Sequence, residues 1–155
     1  MDITLARALH ILSIVIWIGG VSFVTVVLIP LLRTNKDMDS LTLFNQIENR
    51  FAYIARAVVL IAGISGFYMV YQLNAWDRFF DLTFFWMHAM LILWLMFMVA
   101  LFIVEPFFLK DHGRMVKQKH NISNLRKTQI VHWILLSLSL VVVVISVLGA
   151  HGFFY

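Results

Sequence analysis

Four apolar runs, at about residues 8–32, 51–71, 82–109 and 128–150, set the limits of what this chain can become. At about 1.5 Å per residue, each is long enough to cross a hydrocarbon layer of about 30 Å as a helix. A lipid interior offers no water to unpaired backbone groups, so each run must satisfy its own N–H and C=O groups, as a helix does. The composition agrees, with 62% hydrophobic and 13% charged residues, a larger apolar share than a soluble domain buries. The expected fold class is all-α: an integral membrane four-helix bundle, up-down-up-down, formed by residues 1–155 as one transmembrane domain. The first run is too long for a removable signal peptide and lacks its basic leader and cleavage site.

The connections carry the polar residues and with them the topology. Residues 33–50 and 110–127 hold most of the cations, and Arg56 stands at the edge of the second run, so ten of the twelve Lys and Arg residues share one side, all but Arg7 and Arg78. By the positive-inside rule that side is cytoplasmic and both termini are external, which places the chain in a bacterial cytoplasmic (inner) membrane as a multi-pass protein. The formal charge of +4 therefore reports orientation, and nucleic acid is excluded as a partner. Within about 40–50, Leu41, Phe44, Ile47 and Phe51 fall on one helical face, which predicts an amphipathic segment lying along the membrane surface before the chain turns in. Pro30 is expected to bend or end the first helix. The AGISG segment, with Ala62, Gly63, Ser65 and Gly66, offers a small-residue surface for close helix packing, in the monomer or in a homo-oligomer.

Chemistry enters through histidine. His10 and Trp17 lie two turns apart on one helical face, flanked by Ser13 and Gly20, and an imidazole in a membrane segment points to a functional site inside the bundle. His88 stands a few residues into the third run, which crosses in the same direction as the first, so the two rings belong to the same outer level. Same-direction helices sit diagonally in such a bundle, with the gap between them open to a cofactor. Two opposed neutral imidazoles are what a six-coordinate haem iron needs, so His10 and His88 are the expected metal ligands of a haem b. Arg7 or Arg56 is expected to compensate the propionates, Arg7 being the better placed at the same membrane level; Trp17 and Trp86 wall the site, Ser13 bonds at its edge, and Met90 or His151 serves as an alternative ligand.

With no cysteine in the chain, thiolate and iron–sulfur sites are excluded. The competing reading is a copper or zinc site using His10 and His88 with the thioethers of Met87 or Met90, which would suit Cu(I). His112 and His120 read as solvated loop residues. His132 belongs to the cytoplasmic end of the fourth run and His151 to its outer rim, about 28 Å away along a helix axis, so they cannot share a site.

The first run, with Arg7, His10, Trp17, Gly19 and Gly20, resembles the opening helix of HemJ-type protoporphyrinogen oxidases and of CopD-like membrane domains. The third, with Trp86, Met87, His88, Ala89, Met90 and Leu91, resembles the tryptophan–leucine–histidine–alanine–lysine–leucine segment of the HemJ type. The resemblance implies a small four-helix haem b protein with redox chemistry, oxidation of protoporphyrinogen IX in HemJ-type members and copper handling in CopD-like ones. Arg7 and Met90 stand where the HemJ-type pattern has lysines, and neither side chain can take over the proton transfer of a buried lysine. The leading expectation is a haem b electron-transfer protein working between a membrane quinone or another redox protein and an acceptor outside.

Overall fold

The computed structural model describes residues 2–34, 38–104 and 122–154, and the described residues are almost all helical. Four helices are long and apolar enough to cross a membrane, as the runs predict. Helix α1 covers Ile3–Thr34, and Asp2 caps its start by accepting the Thr4 N–H at 3.2 Å. Helix α2 is Met38–Gln72, α3 is Leu82–Val104 including a short 3₁₀ entry at Leu82–Phe84, and α4 is Ile122–Ala150. A second 3₁₀ turn, Ala75–Phe79, links α2 to α3, and Asn74 adopts the left-handed conformation ahead of it, with φ 48°.

Among the described residues, α1 packs chiefly against α2 and α3 chiefly against α4; α1 also meets α4, and α2 meets α3. That leaves α1 and α3 on a diagonal. Early α1 meets late α2 where His10 bonds Ala62, and Phe51 packs where Gly20 opens a notch in α1. Trp86 of early α3 fills the space at Gly149 of late α4, and Trp94 donates to the Val59 carbonyl at 2.9 Å, its ring lying over Gly63. Glycine is required at these contacts because a Cβ would collide with a ring; at Gly63 it would lie 2.5 Å from Trp94.

The centre of the bundle is Trp17, Val21, Val58, Val59, Leu93, Phe97, Leu136 and Val142. Most other large side chains point outward, among them Val15, Ile64, Ile92 and Val144, each more than half exposed. An apolar surface this extensive suits lipid rather than water. The buried hydroxyls obey the same solvent: Ser13, Thr25, Ser65 and Ser139 each donate to the carbonyl four residues back, so none is left unpaired.

Three expectations about the elements change. Pro30 neither ends α1 nor breaks it: the helix widens into a π-helical turn at Val24–Leu28, in which the Ile29 N–H reaches the Val24 carbonyl, and continues to Thr34. The wider turn absorbs the proline ring, which has no N–H to give and crowds the carbonyl four residues earlier. The stretch at about 40–50 is not a separate surface segment with a turn behind it, but the first part of the unbroken α2. Its Ile47 and Phe51 pack on Val24, Leu28, Ile29 and Leu32, so the end of α1 covers these two residues of the face assigned to the membrane surface; the side chains of Leu41 and Phe44 lie outside those described. Helix α4 begins by Ile122, earlier than the apolar run, while residues 105–109 of the third run and His112 and His120 lie outside the described residues.

Candidate functional site

Ala6, Ser13, Trp17 and Val21 form the buried stripe of α1, and His10 lies beside it, half-buried against α2. Its Nδ1 lies 2.8 Å from the Ala62 carbonyl and 3.3 Å from Ser65 Oγ. A carbonyl only accepts, so Nδ1 carries the proton and a neutral ring keeps its lone pair on Nε2. Gly66 makes the approach close, since a Cβ there would stand 3.3 Å from His10 Cε1. The AGISG segment thus works as a packing surface, with Gly63 under Trp94 and Gly66 under His10.

His88 is fixed differently. Its Nε2 donates to the Phe79 carbonyl at 2.9 Å, and the Phe79 ring stands edge-on at 5.7 Å. That leaves Nδ1 as the unprotonated nitrogen, buried and without a hydrogen-bond partner. Among the described residues no hydrogen bond or ring contact joins His10 to His88; each is tied to a different backbone carbonyl on a different element.

The other expected site residues divide. Trp17 is buried and meets Phe97 edge-to-face at 4.5 Å, and Trp86 is buried beside Gly149; both indole N–H groups lack a partner. Met90 packs against the central cluster, the ordinary use of a thioether. Arg7 and His151 are exposed, and the Nδ1 of His151 bonds Val147 of its own helix at 2.8 Å. Ser13 spends its hydroxyl on Leu9 at 2.7 Å, so the hydroxyl beside His10 comes from Ser65. Neither the Ala62 carbonyl nor Ser65 is marked as a partner of His10 by its place in the sequence; the usable signal is that a small-residue segment is where a ring can reach a backbone.

The donor set bears differently on the two metals. Among the described residues no three His, Asp or Glu side chains converge, as the usual all-protein zinc or copper centre requires. Haem asks for less, because the porphyrin supplies four nitrogens and the protein only the axial ones. His10 fits that demand, with Nδ1 anchored to a carbonyl and Nε2 unengaged, the arrangement typical of a ligating imidazole. His88 fits it once Nε2 is released from Phe79, since Nδ1 adjoins the Cβ-bearing carbon and is the more crowded nitrogen. No known protein family, curated protein or solved structure matches this chain.

Proposed function

We propose that the chain is a haem b-binding redox protein of the bacterial cytoplasmic membrane, an up-down-up-down bundle with both termini external and His10 as the principal axial ligand. The observation that carries the reading is the His10 ring itself, held by Nδ1 on the Ala62 carbonyl within a membrane helix, with Nε2 left to bind. The resemblance of the segments around His10 and His88 to HemJ-type and CopD-like helices supports the same cofactor. Haem b supplies one-electron exchange when bound. The chain's own residues hold and tune it: Ala62 fixes the tautomer of His10, and Ser65 offers a second polar contact at the same nitrogen. His88 would be the second histidine to hold the group, and its Nε2 would be free for that only without its bond to Phe79.

With lysine absent at positions 7 and 90, electron transfer suits the residues better than porphyrinogen oxidation, which also needs an acid or base. The test is the reduced-minus-oxidised absorption spectrum of protein purified after expression with haem supplied. A b-type band that disappears in His10→Ala and shifts or weakens in His88→Ala is the expected result. A spectrum without such a band, or one that survives both substitutions unchanged, overturns the proposal.

A further inference from the structure

From the bundle centre at Trp17 and Phe97 toward His132, away from His10 and His88, side chains of all four helices line a partly open cavity of about 200 Å³. Its walls are mostly hydrocarbon, including Val24 of α1, Ala55 of α2 and Ala100 of α3. Two lining residues are polar. His132 bonds the Thr128 carbonyl through Nδ1 at 2.9 Å, so its Nε2 holds the lone pair, and Trp17 contributes the indole whose N–H is buried without a partner. A buried donor left unpaired calls for an explanation, and a ligand that has yet to arrive is one.

The backbone is built around this space. Both π-helical turns of the chain's described residues, Val24–Leu28 in α1 and Ala100–Val104 in α3, contribute to its wall, and each is followed two residues later by proline, Pro30 and Pro106. Within the second of these turns the Leu101 carbonyl accepts from Arg56 at 3.0 Å. The same device thus recurs on facing helices at one level, and π-helical turns are frequent at functional sites.

We propose that this cavity binds the headgroup of a lipid-soluble quinone. An apolar cavity of about 150 Å³ admits benzene, so this one has room for a substituted ring. Unlike a lipid tail, a quinone uses both polar groups: an oxidised headgroup presents a carbonyl to the Trp17 N–H, and a reduced one presents a hydroxyl to His132 Nε2. The proposal deepens the redox reading by naming its partner in the bilayer, and rests on that reading only for the use made of the bound ligand.

The test is photolabelling of the wild-type protein in lipid nanodiscs with a short-chain azidoquinone. Label on residues 17–24, 51–55, 97–101 or 132–135, displaced by excess parent quinone, is expected. Label that parent quinone does not displace, or that falls on lipid-facing positions such as Ile64 and Val144, overturns the site, as does a phospholipid or detergent molecule held there against quinone in native mass spectrometry. His132→Leu and Ala100→Leu, each checked by circular dichroism, should lower displaceable labelling at least fivefold; undiminished labelling in a folded variant also overturns it, and if neither folds the wild-type labelling pattern decides. Haem spectra of the same samples separate the two proposals. Displaceable label without a b-type band keeps the cavity site and removes the haem, and a band without displaceable label does the reverse.

Discussion

The two ends of the bundle solve the same packing problem in opposite ways. Around His10 and His88, flat rings lie in notches left by Gly63, Gly66 and Gly149, and both imidazoles are tied to backbone carbonyls. Around His132, two helices widen into π-helical turns and the centre stays open. The first end fixes the orientation of its polar groups, whereas the second keeps room. Order suits a group that ligates one atom permanently, and room suits a molecule that comes and goes.

The largest effects should come from filling the notches. Gly149→Leu would drive a side chain into the Trp86 ring, and Gly63→Ala would set a methyl 2.5 Å from Trp94, so each should destabilise by about 1–3 kcal/mol, Gly149→Leu the more. Ala100→Leu, at the roomy end, should cost under about 1 kcal/mol because the added carbons enter empty space. Thermal unfolding in detergent measures all three, and equal losses at both ends would break the contrast. Next comes Arg56→Met, which leaves the Leu101 carbonyl beside the cavity without its guanidinium partner and should cost about 1–3 kcal/mol for an unmade buried bond. A stability unchanged from wild type would show that the widened α3 needs no such support.

Between the histidines the contrast is one of kind. His10→Ala should remove the b-type band and lower the melting temperature, while His132→Ala should leave the band in place. A band lost in His132→Ala and kept in His10→Ala would reverse the assignment of the two ends.

The smallest effect belongs to the connection between α2 and α3. Hydrogen bonds from the Thr83 side chain and backbone hold the fully exposed Asp81 carboxyl below its ordinary value of 3.8, with the Thr83 N–H donating at 2.8 Å. A depressed acid contributes its stability above the unfolded value and loses it as pH falls through the folded one. Acidification should therefore loosen the Asp81–Phe84 turn only below about pH 4, and amide exchange at Thr83 that is flat across that range would contradict it.

The four spans could be read directly because lipid imposes length and apolarity residue by residue. What each ring touches could not. His10 reaches Ala62 across a separation of 52 residues, and His88 reaches Phe79 only because Asn74 turns the chain in a left-handed conformation. The AGISG segment announced close packing without saying that Trp94 and His10 would occupy it. Pro30 does not end α1, because a helix that must continue past proline can widen, and in the sequence Pro106 stands at the same spacing after the second π-helical turn. Surface placement of residues 40–50 followed from an apolar face alone, and such a face looks the same whether lipid or another helix covers it.

The lengths of the first two helices have a mechanical consequence. At 32 and 35 residues they measure about 48 and 52 Å, and even a 40° lean lets a layer of about 30 Å swallow only about 39 Å of each. Part of each helix must therefore extend past the hydrocarbon layer, and toward the first hairpin Ile47 holds α2 against the last turns of α1. Since the chain is free of cysteine, a single Gln46→Cys that reacts with a membrane-impermeant maleimide from one side only would tell on which side that extra length emerges.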